Sequence, residues 1–112
     1  MELTTERIGD VIVVALPGDM LDASNAKEFK RDIAPVLEPQ AKVVFDLTEL
    51  RFVDSSGLGA FLSCLRQLNA TGGDLKLCGM TKPVRTLFEL VRMHKIFDIV
   101  GTRDEALRSF TQ

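Results

Sequence analysis

The stretch "VDSSGLGAFL", Val53 to Leu62, sets two hydroxyls between a carboxylate and two glycines. Asp54, Ser55, Ser56, Gly57, Leu58 and Gly59 fall where an apolar, extended run gives way to a helical one. A helix N-terminus presents backbone N–H groups without intrahelical partners, and its dipole favours negative charge. Glycines at 57 and 59 keep side chains away, so a phosphate or a partner can approach closely. Two roles suit the serines: one caps the helix, or one accepts a group delivered from outside. Upstream, "GDMLDAS" adds Asp19 and Asp22 ahead of another helix. Asp22 reads either as a capping residue or as a neighbour of the 54–59 loop, because sites in open α/β sheets gather beyond the strand ends.

Catalysis by these residues lacks its usual parts. A nucleophile elbow needs G-x-S-x-G, and the order here is D-S-S-G-L-G. The single histidine, His94, lies far along the chain in a helix-end segment. A Walker loop needs a lysine after its glycines, and none follows. Two cysteines, Cys64 and Cys78, without a CxxC and with one histidine, offer no zinc site and no disulfide framework. They read as buried free thiols, suited to a reducing compartment. We therefore expect no catalytic residue, no metal and no cofactor of the chain's own.

Composition narrows the partners. The net charge is −2, which argues against non-specific binding to nucleic acid or to an anionic membrane. No apolar run approaches the ~20 residues of a membrane span, and the polar start "MELTTERIGD" lacks a secretory signal. At 112 residues, one domain over 1–112 is expected.

The elements that must position these residues are legible as a pattern. Leu3 to Ile8 and "VIVVAL", Val11 to Leu16, form a hairpin about Gly9-Asp10. Ala26, Phe29, Ile33 and Val36/Leu37 share one face of a helix, with Asn25 and Glu28 at capping-box spacing and Pro35 breaking it near Ala34. "KVVFDL", Lys42 to Leu47, is a buried strand, with Asp46 at its end set to accept backbone N–H groups. A second helix runs from Ser56, its cap, to about Ala70, burying Leu58, Phe61, Leu62, Leu65 and Leu68, and stops at Gly72-Gly73. "DLKLCG" is a strand. Thr81 caps a helix with Pro83 in its first turn and Val84, Leu87, Phe88 and Val91 on its core face. "KIFDIV" is extended, and Thr102-x-x-Glu105 opens a last helix that points Ala106, Leu107 and Phe110 inward. Strands alternating with helices imply an α/β fold with parallel later strands.

Taken together, "FDLTELRFVDSSGLGAFLSCLRQLNATGGDLKLCGMTKPVRTLFELVRMHKIFDIV" and the upstream "LDASNAKEFK" resemble the STAS domain, in particular bacterial anti-sigma factor antagonists. The resemblance covers essentially the whole chain and is carried most specifically by "DSSGLG". It implies a mixed four- to five-stranded sheet with an N-terminal hairpin and about four helices. It also implies a cytoplasmic, non-enzymatic binding function. Ser55 would be the phosphoacceptor, and Asp22, Asp54, Ser55, Ser56, Gly57, Leu58 and Gly59 the partner-binding surface. The implied partners are an anti-sigma factor with serine kinase activity, which binds the ATP and Mg²⁺, and a serine phosphatase that resets the switch; no direct nucleic-acid contact and no membrane span are implied. Unphosphorylated antagonist would hold the anti-sigma factor and free the sigma factor. The alternative is a STAS module serving another partner-switching, stress-signalling or lipid/anion-transport assembly; a chain opening at Met1 without a span fits a transporter's domain less well. One departure is the extra residue in "GDMLD", where the family often has G-x-L-D. A bulge in the strand or a longer turn must absorb it.

Overall fold

The structure, a computed structural model, describes residues 1–110; Thr111 and Gln112, inside the expected domain limits, lie outside the described residues. In chain order the elements are β1 (Thr4–Ile8), β2 (Val11–Ala15), β3 (Met20–Leu21), α1 (Ala26–Ile33), β4 (Lys42–Asp46), β5 (Phe52–Val53), α2 (Ser55–Ala70), β6 (Asp74–Cys78), α3 (Lys82–Leu90), β7 (Asp98–Val100) and α4 (Arg103–Phe110). Five strands make one mixed sheet, ordered β1-β2-β4-β6-β7, with β1 antiparallel and the rest parallel. The expected α/β class, hairpin and strand number hold.

The pleat sends alternate residues to opposite faces. Val14, Val43, Phe45, Leu75 and Leu77 face α1, α2 and α3, which contribute Phe29, Ile33, Phe61, Leu65, Leu68, Val84 and Phe88. The Phe29 ring meets Phe45 and Phe61 edge-on, each with centroids 5.8 Å apart. Val11, Val13, Val44 and Cys78 line the other face beneath α4, where Ala106 is fully buried and Leu107 and Phe110 are partly so. Lys76 lies buried in that layer, 4.8 Å from the Phe110 ring centroid, and pairs with Asp98 and Asp74. Both thiols are buried, and that burial pushes Cys64 up to about 12 and Cys78 up to about 11.

Several local expectations are corrected. Asn25 and Glu28 do not form a capping box: the Asn25 side chain accepts from the Asp22 N–H and donates to the Met20 carbonyl, while Glu28 pairs with the N-terminal ammonium. Thr81 precedes α3 without capping it through its side chain, because its hydroxyl donates to the Leu50 carbonyl at 2.7 Å. Val91 is 47% exposed, since α3 ends at Leu90 and a 3-10 turn over Met93–Lys95 follows. That turn also takes up the front of "KIFDIV", leaving only Asp98–Val100 as strand. Pro35 acts as expected, ending α1 at Ile33 in a short 3-10 turn.

Two parts of the chain leave the sheet. After β2 the chain bends at Gly18, whose φ is +77°, and the Asp19 carbonyl accepts the N–H groups of Arg51 and Phe52. This contact starts a separate two-stranded parallel ribbon, with Met20 beside Phe52 and Leu21 beside Val53. The extra residue of "GDMLD" is thus absorbed in a bend leading to the ribbon, not in a bulge of β2. Among the described residues, no helix is long and apolar enough to cross a membrane.

Asp46, at the end of β4, accepts the Thr48 N–H at 3.0 Å and the Arg103 Nε–H at 2.8 Å, joining the sheet to the start of α4. Burial pushes its carboxyl up, but the Thr48 and Arg103 contacts outweigh burial and hold it below the ordinary range. Its contribution is complete above the unfolded value near about pH 4 and is lost as pH falls through the depressed folded value. In urea titrations across acidic pH, Arg103→Gln is expected to lower stability at neutral pH and to reduce the part lost on acidification, because the folded carboxyl value returns toward the unfolded one. The same neutral-pH stability and the same acid-dependent loss as wild type would show that the pair contributes nothing.

Candidate functional site

The site lies beyond the C-terminal ends of the parallel strands. There β5 feeds directly into α2, and β3 feeds into the turn before α1. Asp54 is the N-cap of α2, with extended backbone (φ −104°, ψ −171°). Its Oδ1 accepts the Gly57 N–H at 3.1 Å and its Oδ2 accepts the Ala23 N–H at 3.1 Å. The Asp54 N–H in turn donates to the Leu21 carbonyl at 3.3 Å. One residue therefore fixes the start of α2, the turn before α1 and the ribbon.

This assignment corrects the expectation for the serines. Neither caps the helix: Ser55 and Ser56 are its first two residues, both exposed. Among the described residues neither hydroxyl makes a hydrogen bond. Each oxygen of the Asp54 carboxylate accepts one backbone N–H, so this residue holds the local backbone at the same surface where it is expected to meet a partner. Asp is as good an N-cap as Ser, so the sequence offers three adjacent candidates for one cap.

The two glycines separate. A Cβ on Gly57 would come within 2.4 Å of the Leu21 carbonyl oxygen and 2.8 Å of Val53 Cγ1, so the bare α-carbon lets the ribbon seat against the first turn of α2. Gly59 has open space where its Cβ would be, and it is exposed. Gly57 and Leu58 are buried. They support the surface from beneath, whereas Ser55, Ser56 and Gly59 form it.

Asp22 joins this surface from the turn before α1. It is half-buried, and its Oδ1 accepts both the hydroxyl and the N–H of Ser24. The Ser24 hydroxyl and then the Ser24 N–H hold its carboxyl below the ordinary range, so it is ionised at neutral pH. The structure thus brings Asp22, through Ala23, to the carboxylate of Asp54. His94 sits in the 3-10 turn after α3, and among the described residues it and the serines make no hydrogen bond to each other. Met20 and Phe52, on the ribbon beside the serines, were not singled out from sequence, because two-residue strands give no readable alternation.

Comparison with known proteins decides the family. The STAS domain profile matches residues 2–106. The chain belongs to the STAS domain family. BtrV of Bordetella bronchiseptica is 30% identical over 111 residues, covering 98% of this chain and 95% of that protein. The anti-sigma F factor antagonist of Paenibacillus polymyxa is 29% identical over 108 residues, covering 96% and 92%. Among solved structures, the Bacillus anti-sigma factor antagonist SpoIIAA shares the fold. Its unphosphorylated form superposes with a TM-score of 0.78 at 23% identity, covering 98% of this chain and 96% of that one. Its phosphorylated form gives 0.70 at 22%, covering 97% and 99%.

The geometry of this STAS domain makes opposite predictions for neighbouring substitutions. Asp54→Ala is expected to cost about 1–2 kcal/mol through the lost cap and the released Ala23 N–H, whereas Ser56→Ala stays within about 0.5 kcal/mol. Gly57→Ala destabilises by collision with the Leu21 carbonyl. Gly59→Ala stabilises by about 0.5–1 kcal/mol, since an exposed helical glycine carries only its entropy. Urea midpoints of the four variants measure this. A loss at Ser56 equal to that at Asp54 would return the cap to the serine.

Proposed function

We propose that this STAS domain is a cytoplasmic anti-sigma factor antagonist: unphosphorylated, it binds an anti-sigma factor that is also a serine kinase, and phosphorylation of Ser55 releases it. The observation that carries this reading is the state of Ser55. Its hydroxyl is exposed at the first position of α2 and unbonded, while Asp54 has taken over the capping that would otherwise engage it. The names of the relatives supply the partner class, and SpoIIAA, known in both phosphorylated and unphosphorylated forms, supplies the modification.

The chemistry asked of this chain is small. Ser55 Oγ attacks the γ-phosphorus of ATP, the bond to the β,γ-bridging oxygen breaks, and ADP leaves; the hydroxyl proton passes to a base on the kinase. ATP and Mg²⁺ belong to the kinase, and a serine phosphatase removes the phosphoryl group by hydrolysis. On this reading the chain has no catalytic residue of its own.

The phosphoserine then carries about −1.5 to −2 charges at neutral pH. The helix N-terminus tolerates that charge, so the fold persists. In the interface it stands beside Asp54 and the ionised Asp22, and like charges desolvated together weaken binding. Phosphotransfer from ATP by the native kinase partner, followed by mass-spectrometric mapping, tests the acceptor. Wild type and Ser56→Ala are expected to take up one phosphate, and Ser55→Ala none. Uptake by Ser55→Ala equal to wild type would overturn the assignment. Ser55→Asp is expected to lose partner binding, roughly a hundredfold or more, while keeping the fold.

A further inference from the structure

The ribbon beside Ser55 is built with one face inward and one outward. Leu21 and Val53 are 0% and 2% exposed, packed into the core over Gly57. Their neighbours Met20 and Phe52 are 45% and 53% exposed. Met20 and Phe52 are register partners in a parallel pair, so their side chains stand side by side on the outer face. Other exposed large apolar side chains lie on other parts of the chain: Ile8 in the hairpin, Leu90 at the end of α3, and Val91 and Ile96 after it. Phe52 is three residues from Ser55, so their α-carbons are at most ~11 Å apart. The hydrogen bond from the Asp54 N–H to the Leu21 carbonyl ties this ribbon to the start of α2. Whatever aligns on the ribbon is therefore aligned on Ser55.

We infer that Met20 and Phe52 are the apolar anchor that seats the anti-sigma factor with Ser55 at its nucleotide cleft. This rests on the function proposed above and adds the chemistry of the partner surface. Next to its cleft the partner presents an apolar patch with a basic edge, apolar for Met20 and Phe52, basic for the exposed Asp19 and the half-buried Asp22. An exposed aromatic beside a thioether is the kind of pair that carries a large share of an interface's affinity. The arrangement divides the work of the switch. The anchor contributes affinity that phosphorylation leaves unchanged, and the charge at Ser55 subtracts from it.

The test measures binding of the native anti-sigma factor to the full chain by surface plasmon resonance at low and high salt. Urea midpoints are recorded in parallel. A Met20→Thr/Phe52→Thr variant is expected to bind roughly thirtyfold or more weakly, with the loss in the dissociation rate and an unchanged salt slope. Ser55→Asp is expected to lose affinity in a salt-dependent way. If the double variant is destabilised, Met20→Thr alone decides: a loss of roughly fivefold or more supports the anchor, and wild-type affinity overturns it. An anchor variant that binds like wild type while Ser55→Asp does not overturns the anchor and leaves the switch standing. Wild type that binds no anti-sigma factor overturns both.

Discussion

Both oxygens of the Asp54 carboxylate accept backbone N–H groups, and they come from two different segments. One bond satisfies the exposed end of α2, at Gly57. The other reaches Ala23, across the gap to the turn before α1. The Asp54 N–H closes a third contact, to Leu21 in the ribbon. Without this carboxylate the first turn of α2 would need a serine as cap, and the serine hydroxyl would be committed to its own backbone. With it, Ser55 stands exposed in the first turn of α2 and its hydroxyl is not needed as the cap.

The rest of the site follows from how closely the ribbon approaches the helix. Gly57 admits the Leu21 carbonyl to a distance that no side chain would allow. Leu21 and Val53 then enter the core, and the ribbon cannot shift without disturbing it. Rigid support beneath and an open, unbonded surface above suit a site acted upon by another protein. A phosphate placed there adds a second negative group beside Asp54 at the same helix terminus. The helix dipole offsets it in the free domain, but an interface that excludes water makes the crowding of charge costly. The same modification can thus leave the fold intact and change the partner's affinity.

The strands and long helices were legible in the sequence because each carries a clear period. Val11 to Ala15 and Val43 to Phe45 are apolar runs, and Phe61, Leu65 and Leu68 recur at helical spacing. Boundaries and caps were less legible, because several side chains compete for one backbone donor. Asp54, Ser55 and Ser56 all suit an N-cap, and only the position of Ala23, brought alongside by the fold, favours the aspartate. Thr81 and Asn25 were likewise drawn to other partners, Leu50 and Met20, far apart in sequence or out of helical register. The ribbon escaped notice because two residues per strand show no alternation. The bend at Gly18 and Asp19, and the β3–β5 pairing it allows, depend on contacts between segments some thirty residues apart.

On the proposed function, one phosphate on Ser55 changes the partner's affinity and not the fold. The most direct measurement is calorimetric titration of the native anti-sigma factor with the domain stoichiometrically phosphorylated at Ser55 and with the unmodified domain. Amide NMR spectra of both forms would accompany it. A loss of affinity of roughly a hundredfold or more is expected, with spectral changes confined to the start of α2, the turn before α1 and the ribbon. Equal affinities for the two forms would contradict it, and so would a spectrum altered throughout the sheet.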